Sequence, residues 1–421
     1  MARKGISFLN GNVNNGTVNL SWYKVTPLFE KKEQEEFKEF SIYRKPVDDF
    51  TFGSDYEEFF CGLAPEPVDL IYCGPVECSN NRKYLFQDRQ AEIGKVYGYF
   101  VKTRTLPPVG PVPLKIRDPE VWWSYETLKS KLQQLQQDYP AMVNLGVCGR
   151  TVEGREILSL KIGSGVTALG LAGAMHPGEA GPELIISALE KILHESPAIL
   201  KKCAIVVIPS INIDVRERLA QGRPWYLRKN IAGVDLNRNF PAEWDDIGKE
   251  YGLSTDDPES LTYRGMFPAS EPETKAVMKF FADNKPAVIF SFHALAGICD
   301  IPAVGAGGVD QSDSEFYALS KRFIKAYGTG LHPELTPDDS WLTFGGTGGS
   351  FMRWAWHELR IPAFDLELSI VIAPDALQKC RVDHTDRGLL EEYAFRHSRA
   401  VMNILNGSMH GRKQCRHARP V

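Results

Sequence analysis

The sequence predicts a three-layer α/β/α domain with a parallel or mixed sheet, preceded by an all-β sandwich. Residues 1–106 alternate polar and apolar positions over short segments separated by Asn, Gly, Pro and Asp, which is typical of antiparallel strands. Beyond residue 119, apolar strand-like segments alternate with segments of helical periodicity, as in a sheet covered by helices. Because 421 residues exceed the usual size of one hydrophobic core, two domains are expected.

The first domain, residues 1–106, has its clearest strands at 18–22, 40–44 and 96–102. These strands resemble the Trp-bearing strand, the Tyr-Arg strand and the Tyr-x-Tyr-x-Val strand of fibronectin type III domains. The resemblance implies a β-sandwich module that carries no chemistry of its own. We expect such a module to contact a protein or cell-wall partner.

A proline-rich linker is predicted over residues 107–118. Four of the nine residues 105–113 are proline, and such a composition favours an extended, semi-rigid backbone. At the other end of the chain, residues 407–421 are polar and basic, which predicts a disordered tail.

The second domain, residues 119–406, is predicted to begin with an amphipathic helix over 125–139. Leucines at 128, 132 and 135 recur there at helical spacing. Strands and helices then alternate, which predicts βα units packed in three layers. The segments are 156–162, 168–175, 183–193, 203–208, 273–282, 287–292, 316–326, 349–357, 363–368 and 389–405.

Composition and charge narrow the classes of partner. The chain has 43% hydrophobic and 24% charged residues and a formal net charge of -4, so no attraction to nucleic acid or to an anionic membrane is expected. No signal peptide and no membrane-spanning run is recognised. The eight cysteines are scattered, several of them within apolar runs, which favours reduced thiols and a cytoplasmic location. A bridge between Cys73 and Cys78, which flank a short turn, is the less favoured alternative.

Three residues predict a metal site. His176 and Glu179 follow the apolar run 170–175, and His293 ends the apolar run that begins at residue 287. Because the carboxyl ends of neighbouring strands meet at one edge of a sheet, the two imidazoles are expected to lie side by side. A catalytic zinc site uses three protein ligands of nitrogen and oxygen type and a water. One zinc ion per chain is therefore predicted.

Five motifs in chain order resemble the zinc carboxypeptidases of the carboxypeptidase A type, the M14 family. They are HPGE at 176–179, YLRKN at 226–230, GVDLNRNF at 233–240, SFHA at 291–294 and FDLEL at 364–368. The resemblance covers residues 120–405. It implies the three-layer carboxypeptidase fold with a mixed sheet, and hydrolysis of the C-terminal bond of a peptide with a free carboxylate.

The resemblance implies that His176, Glu179 and His293 are the zinc ligands and that Glu367 is the catalytic glutamate. Zinc bound by two neutral imidazoles and one carboxylate keeps a net positive charge, which polarises a carbonyl and acidifies water. At the end of an apolar strand, Glu367 is able to take the proton from that water as a general base and pass it to the leaving amine. Asp365, two positions earlier on the same strand face, is a rival base. The FxxEL pattern favours Glu367, and Asp365 is interpreted either as a group that acts behind the directly bound residues or as a structural group.

The resemblance also implies a clamp for the substrate. Asn237 and Arg238 match the pair that holds the terminal carboxylate, and a guanidinium fits a carboxylate bidentately. Arg228 matches the arginine that polarises the scissile carbonyl and stabilises the oxyanion. A site that binds the free terminal carboxylate of a peptide restricts hydrolysis to the terminal bond, as in an exopeptidase.

The chain departs from the family pattern at three places. Phe344 stands where the family often carries a mobile tyrosine, so one hydrogen bond in the transition state is expected to be missing. Ala294 and Leu295 replace a polar and aromatic pair after His293, which puts the neighbouring subsite in doubt. Gly178 stands where some members place an arginine.

The terminal side chain of the substrate is expected to enter a pocket lined by residues 349–354. If Phe351 or Met352 faces this pocket, apolar chain ends are preferred, and if Arg353 does, acidic chain ends are preferred. The apolar alternative is favoured, because an arginine beside Trp354 is often stacked or exposed.

Three other functions remain open. A cell-wall peptidase for γ-D-glutamyl-diaminopimelate peptides is a close variant, since DLNRNFP at 235–241 followed by SEPETK at 270–275 looks like that branch. An N-acyl amino acid hydrolase shares the HxxE, Asn-Arg and third-His pattern. A zinc-containing binding protein without activity is the third alternative, and the presence of Glu367 speaks against it.

Overall fold

The structure is a computed structural model of the 421-residue chain, which forms two compact units. The first unit comprises Met1–Ser124 and Arg218–Tyr226, and the second comprises Tyr125–Glu217 and Leu227–Val421. The structure describes residues 5–25, 38–47, 69–79, 83–179, 181–224, 227–248, 253–293, 303–305, 312–333, 336, 342–343, 347–367 and 387–411.

Within Met1–Ser124, the described residues form strands joined by turns and loops. Two antiparallel four-stranded sheets are formed, in the orders β1-β2-β6-β5 and β4-β3-β7-β8. The strands are β1 Gly5–Asn14, β2 Thr17–Val25, β3 Phe40–Val47, β4 Leu70–Gly74, β5 Glu77–Cys78, β6 Lys83–Asp88, β7 Val96–Thr103 and β8 Val109–Lys115. An all-β first domain is thereby confirmed.

One apolar core joins these two sheets. In β2, every second side chain from Val18 to Trp22 is buried, as expected for a strand with one face on a core. Trp22 packs edge-on against Phe40 of the other sheet, with ring centroids 5.3 Å apart. Burying each such aromatic side chain stabilises the unit by about 1.5–3 kcal/mol.

The prediction of a linker over residues 107–118 is wrong for most of its length, because Val109–Lys115 forms strand β8. This strand pairs with β7 and lies at the edge of its sheet. Proline cannot donate to a sheet ladder, but an edge strand has one row of backbone groups that needs no partner. The same prolines that predict an extended linker are therefore compatible with an edge strand.

The second unit alternates helices and strands. Its helices are α1 Tyr125–Asp138, α2 Pro182–Glu195, α3 Pro197–Leu200, α4 Ile213–Ala220, which runs into the first unit, α5 Pro272–Asn284, α6 Ser314–Leu331, α7 Phe351–Leu359 and α8 Arg387–Gly411. Its strands are β9 Val143–Arg150, β10 Glu156–Ile162, β11 Val166–Ala172, β12 Cys203–Ile208, β13 Ile289–His293, β14 Ala303–Gly305, β15 Leu342–Thr343 and β16 Ala363–Glu367.

These eight strands form one mixed sheet, as predicted. Its order is β15-β14-β16-β13-β11-β12-β10-β9. The four central strands β12, β11, β13 and β16 are parallel, and β14, β10 and β9 add antiparallel pairs. Because central strands of such a sheet are covered on both faces, they read as unbroken apolar runs, and every residue of β12 is buried.

The parallel register brings the predicted chemistry to one edge. In β13 and β16, His293 pairs with Glu367 at the carboxyl ends of both strands. The loop that carries His176 and Glu179 follows β11, the neighbour of β13 on its other side. Residues from three segments of the chain therefore meet at the carboxyl edge of the central strands.

The predicted disordered tail over residues 407–421 is wrong at its start, because α8 continues to Gly411. Residues 412–421 lie outside the described part of the chain. Helix α8 packs closely on α6, where a Cβ added at Gly330 lies 2.4 Å from Cα of Ala400. Once packing anchors a helix, each added turn extends existing hydrogen bonds, so polar residues continue it at little cost.

No described helix has both the length and the apolar character needed to cross a bilayer.

Candidate metal centre

The metal loop, defined as residues 173–179, follows β11 and is tied to the start of α4. The backbone N–H groups of Ile211 and Asn212 donate to the carbonyls of Gly173 and Ala174, at 3.0 Å each. Ala174 has a left-handed φ of 46°, so the chain turns sharply there. This turn directs the two ligand residues of the loop back over the sheet edge.

The three predicted ligands converge on one point. Nδ1 of His176 lies 3.0 Å from Oε2 of Glu179, and Nδ1 of His293 lies 2.8 Å from the same oxygen. The two Nδ1 atoms are 3.2 Å apart, and all three side chains are buried. Ligand atoms on a tetrahedral zinc, bound at about 2.0–2.1 Å, are separated by roughly 3.3 Å. The donor set and its spacing therefore fit one zinc ion.

Each imidazole is held on the side away from this point. Nε2 of His176 lies 2.9 Å from Oδ1 of Asp235. Nε2 of His293 lies 2.9 Å from Oγ of Ser291 and 3.3 Å from Oδ1 of Asp365. Because an ionised carboxylate only accepts hydrogen bonds, Nε2 of His176 carries the proton, and its Nδ1 presents a lone pair to the centre. The negative charge of Asp365 near Nε2 of His293 favours the same tautomer there. Neutral imidazole in this tautomer is a zinc ligand.

The buried carboxylates of the centre are kept ionised by their neighbours. Burial raises the pKa of Glu179, but its electrostatic contacts and hydrogen bonds with His176 and His293 outweigh burial and bring that pKa well below its usual range. Burial also raises the pKa of Asp235, where Arg228 and His176 outweigh it in the same direction. The centre therefore offers a negatively charged ligand to a cation.

Arg228 is joined to the centre through Asp235. Its Nε donates to Oδ2 of Asp235 at 2.8 Å, while the other carboxylate oxygen faces His176. The Arg228 side chain is 11% exposed, so its charge acts in a largely water-free site. One carboxylate thus orients both a metal ligand and the arginine expected to stabilise an oxyanion.

Asn237 and Arg238 lie in a single 3₁₀ turn, Leu236–Arg238, which Asp235 caps. The Asn237 side chain accepts from the backbone N–H of Phe351 at 2.9 Å and donates to Oδ2 of Asp365 at 3.2 Å. Nη1 of Arg238 donates to the carbonyl of Asn237 at 2.7 Å. The proposed clamp residues are therefore neighbours in space as well as in sequence.

The residues expected to line the specificity pocket are placed differently from one another. Phe351 is fully buried against Phe240, with ring centroids 5.2 Å apart. Met352 is buried, and its Sδ accepts from the backbone N–H of Asp365 at 3.2 Å. Arg353 forms an ion pair with Glu243.

Some residues named in the sequence analysis are not described by the structure, or only their backbone is. Phe344, the residue in place of the family's tyrosine, lies outside the described residues, as do Ala294 and Leu295. For Glu367 the structure describes the backbone, which ends β16 beside His293. The predicted roles of Phe344 and of the Glu367 side chain therefore remain predictions from the motifs.

Sequence reasoning assigned no role to Asp235, Ser291 and Arg216. Asp235 and Ser291 lie inside the quoted motifs, so their position next to predicted site residues could have indicated a role in the site. Arg216 donates to the carbonyls of Pro177 and Glu179 at 2.8 Å each, and it lies on α4 outside every motif. Only the fold brings that arginine to the metal loop.

A buried centre of two histidines and a glutamate at the edge of a mixed sheet defines an α/β protein with a hydrolase-type zinc site. The chain belongs to the zinc carboxypeptidase family, Peptidase_M14, whose profile matches residues 128–375.

Individual relatives agree with this family. Carboxypeptidase B of Homo sapiens is 26% identical over an alignment of 264 residues that covers 55% of this chain and 62% of that protein. Carboxypeptidase A6 of Mus musculus is 30% identical over an alignment of 197 residues that covers 42% of this chain and 44% of that protein. The matched part thus spans less than two thirds of the length of either relative.

Solved structures show the same fold. The carboxypeptidase A from Helicoverpa armigera superposes with a TM-score of 0.56 at 19% identity, over 70% of this chain and 75% of that one. Bovine thrombin-activatable fibrinolysis inhibitor, solved in complex with tick carboxypeptidase inhibitor, gives 0.53 at 18% identity, over 69% of this chain and 99% of that one. At these identities the likeness concerns the fold alone.

Proposed function

We propose that the protein is a zinc-dependent carboxypeptidase that hydrolyses the C-terminal peptide bond of peptides. The observation that supports this function most directly is the convergence of His176, Glu179 and His293. Their Nδ1 and Oε2 atoms lie 2.8–3.2 Å from one another. Two carboxylates connect this centre to the residues proposed to hold the substrate: Asp235 contacts Arg228, and Asp365 contacts Asn237. The family membership of residues 128–375 supports the same function.

The residues around the centre would each act on a different part of the reaction. Zinc in this site supplies Lewis acidity for the scissile carbonyl and the attacking water. Glu367 takes the proton from the water and delivers it to the leaving amine. Arg228 stabilises the negative charge that develops on the carbonyl oxygen. Support for Glu367 is its backbone position, in register with the ligand His293.

Asn237 and Arg238 would hold the terminal carboxylate. The guanidinium offers paired N–H donors, and the Asn237 amide retains a second N–H beside the one given to Asp365. A blocked chain end lacks the charge that this pair binds. Peptides with a free carboxylate are therefore the proposed substrates, and internal bonds are not.

The test is mass spectrometry of peptide digests by zinc-loaded protein. Peptides with apolar, basic and acidic ends are compared with C-terminally amidated copies of each. Loss of single residues from free ends only is expected, and Glu367→Gln is expected to reduce kcat at least a hundredfold while zinc remains bound. Glu190→Gln, a change of the same chemistry on helix α2, serves as the matched control with unchanged rate.

Other outcomes would replace the proposal. Cleavage of a γ-D-glutamyl-diaminopimelate peptide alone would make the protein a cell-wall peptidase. Release of acetate from N-acetylated amino acids would make it an acyl amino acid hydrolase. If zinc binds and no substrate is cleaved, the protein is a zinc-containing binding protein without catalytic activity.

An apolar terminal residue is the proposed preference. Arg353, the alternative determinant for acidic ends, is engaged by Glu243, and Met352 is the neighbouring buried residue beside Asp365. Apolar chain ends are expected to be released at least ten times faster than acidic ends in the same digests. A faster release of acidic ends contradicts this assignment.

We also propose that the first unit is a fibronectin type III-like module that contacts a protein or cell-wall partner. Its two antiparallel four-stranded sheets and the Trp22 core support this likeness. Phe8 is 80% exposed and packs on Tyr23, so it offers an apolar contact. Co-sedimentation with peptidoglycan, weakened in Phe8→Ser, is the expected result, and a chain that stays in the supernatant contradicts it.

A cytoplasmic location is proposed as well. The thiols of Cys73, Cys78, Cys148 and Cys203 are unbridged, and reduced thiols are usual in that compartment. Fractionation of cells that produce the protein tests this location, and recovery from an extracytoplasmic fraction contradicts it.

A further inference from the structure

Asp365 is a buried carboxylate whose two oxygens face two different parts of the site. Oδ1 lies 3.3 Å from Nε2 of His293, an electrostatic contact without hydrogen-bond geometry, and Oδ2 accepts from Nδ2 of Asn237 at 3.2 Å. Its side chain is only 10% exposed. A charge is costly to bury, and this one lies between a metal ligand and a clamp residue.

The contact with His293 bears on the ligand form of that imidazole. Nε2 and Nδ1 lie on different sides of the ring, so Asp365 is on the side away from Glu179. A carboxylate there favours the proton on Nε2 and makes Nδ1 a better electron donor. Ser291 pairs with Asp365 in the strand register and also contacts Nε2, at 2.9 Å. Two neighbouring strands therefore hold one ring.

The contact with Asn237 fixes the orientation of its amide. The amide oxygen accepts from the backbone N–H of Phe351, and the amide nitrogen donates to Asp365. A flipped amide would place NH₂ against that N–H and its oxygen against a carboxylate, so both contacts would become repulsive. One N–H of Asn237 is left for a substrate carboxylate.

The same geometry argues against Asp365 as the catalytic base. Both of its oxygens are directed at protein groups, and the nearer part of the metal ligand is Nε2 rather than the coordinating Nδ1. Glu367, two residues on, ends the strand at the level of His293. A role through other residues fits Asp365 better than contact with the attacking water.

We propose that Asp365 is a positioning residue that couples the metal centre to the carboxylate clamp. It orients His293 for zinc, and it orients Asn237 for the terminal carboxylate of the substrate. The part that concerns Asn237 rests on the proposed carboxypeptidase function, while the part that concerns His293 does not.

The first experiment measures zinc affinity without any substrate. Full-length wild type, Asp365→Asn and Asp365→Ala compete with a chromophoric chelator for zinc. Removal of a carboxylate behind a ligand histidine is expected to weaken zinc binding about 10- to 100-fold. Ser291→Ala is expected to weaken it less, since the charged partner remains, and Glu190→Gln is the control with wild-type affinity.

The second experiment separates KM from kcat at saturating zinc. Asp365→Ala is expected to raise KM for free-carboxylate peptides about tenfold and to lower kcat by a smaller factor. In a double-mutant cycle with Asn237→Ala, the effect of Asp365→Ala on KM should disappear, because Asp365 acts through Asn237. A merely structural role would lower the unfolding temperature and leave the KM of the folded protein unchanged.

Several results would overturn the proposal. Wild-type zinc affinity in both Asp365 variants removes the His293 part, and additive effects on KM in the cycle remove the Asn237 part. A switch of preference away from basic chain ends in Asp365→Asn would mean that the carboxylate contacts substrate directly. If the wild type cleaves nothing, the proposed function fails while the zinc competition still decides the role at His293.

Discussion

At the residue scale, Gly349 shows how tightly the clamp is supported. It has a left-handed φ of 77°, and a Cβ added there would lie 2.0 Å from the carbonyl oxygen of Arg238. Its backbone also pairs with Ala242 and Phe240 on both sides. Only glycine tolerates both this φ and this approach. The position therefore sets the distance between the loop before α7 and the 3₁₀ turn of the clamp.

We expect Gly349→Ala to raise KM for free-carboxylate peptides at least tenfold, because Arg238 must shift to admit a methyl group. Gly154 is the matched control, with a φ of 84° and open space around the added Cβ. Gly154→Ala should cost about 1 kcal/mol of stability and leave KM unchanged. Steady-state kinetics and urea unfolding of both variants check this, and equal KM values would refute the close approach.

His397 provides a pH-dependent contribution to stability. Its ring is fully buried, and Nδ1 lies 2.6 Å from the hydroxyl oxygen of Tyr327, within hydrogen-bond distance. Burial lowers the pKa of His397 to about 3, with a smaller contribution from His332. The unfolded chain binds a proton below about pH 6.5 and the folded chain does not, so acid destabilises the fold between pH 6.5 and 3.

The free energy of unfolding of the wild type, relative to His397→Gln, should therefore fall by about 2 kcal/mol between pH 7 and pH 5. Urea unfolding at both pH values, with zinc removed by a chelator in every sample, measures this difference. The metal ligands then titrate alike in both proteins. A difference that stays constant with pH would show that the pKa of His397 is the same in the folded and the unfolded chain.

At the element scale, α4 holds the metal loop to α2. Arg216 donates to the carbonyls of Pro177 and Glu179 and pairs with Glu183 of α2 at 2.7 Å. Both partners of this ion pair are nearly fully buried. Removing one partner leaves the other charge buried, which typically costs about 3–5 kcal/mol.

Arg216→Met is expected to lose stability of that size and to weaken zinc binding, since the loop carries two of the three ligands. The double variant Arg216→Met with Glu183→Leu should recover much of the stability but not the zinc affinity. Arg218→Met, an exposed change on the same helix, is the control. Urea unfolding and chelator competition measure both effects, and wild-type zinc affinity in Arg216→Met would contradict the role of α4.

The elements also differ in how well the sequence predicts them. The predicted strand at 203–208 matches β12, because a central parallel strand is apolar throughout. The prolines of the edge strand β8 predict a linker, because they are compatible with an extended linker as well as with an edge strand. The sequence does not predict the last turn of α8, because that helix is held by its packing on α6 and local residues do not encode this contact.

At the scale of the whole molecule, zinc bound at the candidate metal centre would link segments that are distant in sequence. Glu179 and His293 are 114 residues apart, and their ligand atoms lie 2.8 Å from each other. An ion that binds only the folded arrangement stabilises it by mass action, about 2.7 kcal/mol at a hundredfold excess over Kd. Zinc is thus expected to contribute to the stability of the second unit.

Removal of zinc by a chelator should lower the unfolding midpoint of the second unit by roughly 5–10 °C. His293→Ala should lose most of this sensitivity, because one ligand is missing. Differential scanning calorimetry with and without chelator checks both statements. An equal midpoint in the two wild-type samples would mean that zinc contributes nothing to this fold.

Local patterns in the sequence are enough to predict the all-β first domain, the α/β second domain and the three residues that meet at the candidate metal centre. These features are recorded locally, in side-chain periodicity and in motifs of a few consecutive residues. The contacts behind these three residues are visible only in the folded structure: Asp365 lies between His293 and Asn237, Asp235 lies between His176 and Arg228, and Arg216 contacts the metal loop. Most of these contacts join residues far apart in the chain, and burial makes them strong. Which distant groups become neighbours depends on strand order and helix packing, which no local pattern specifies.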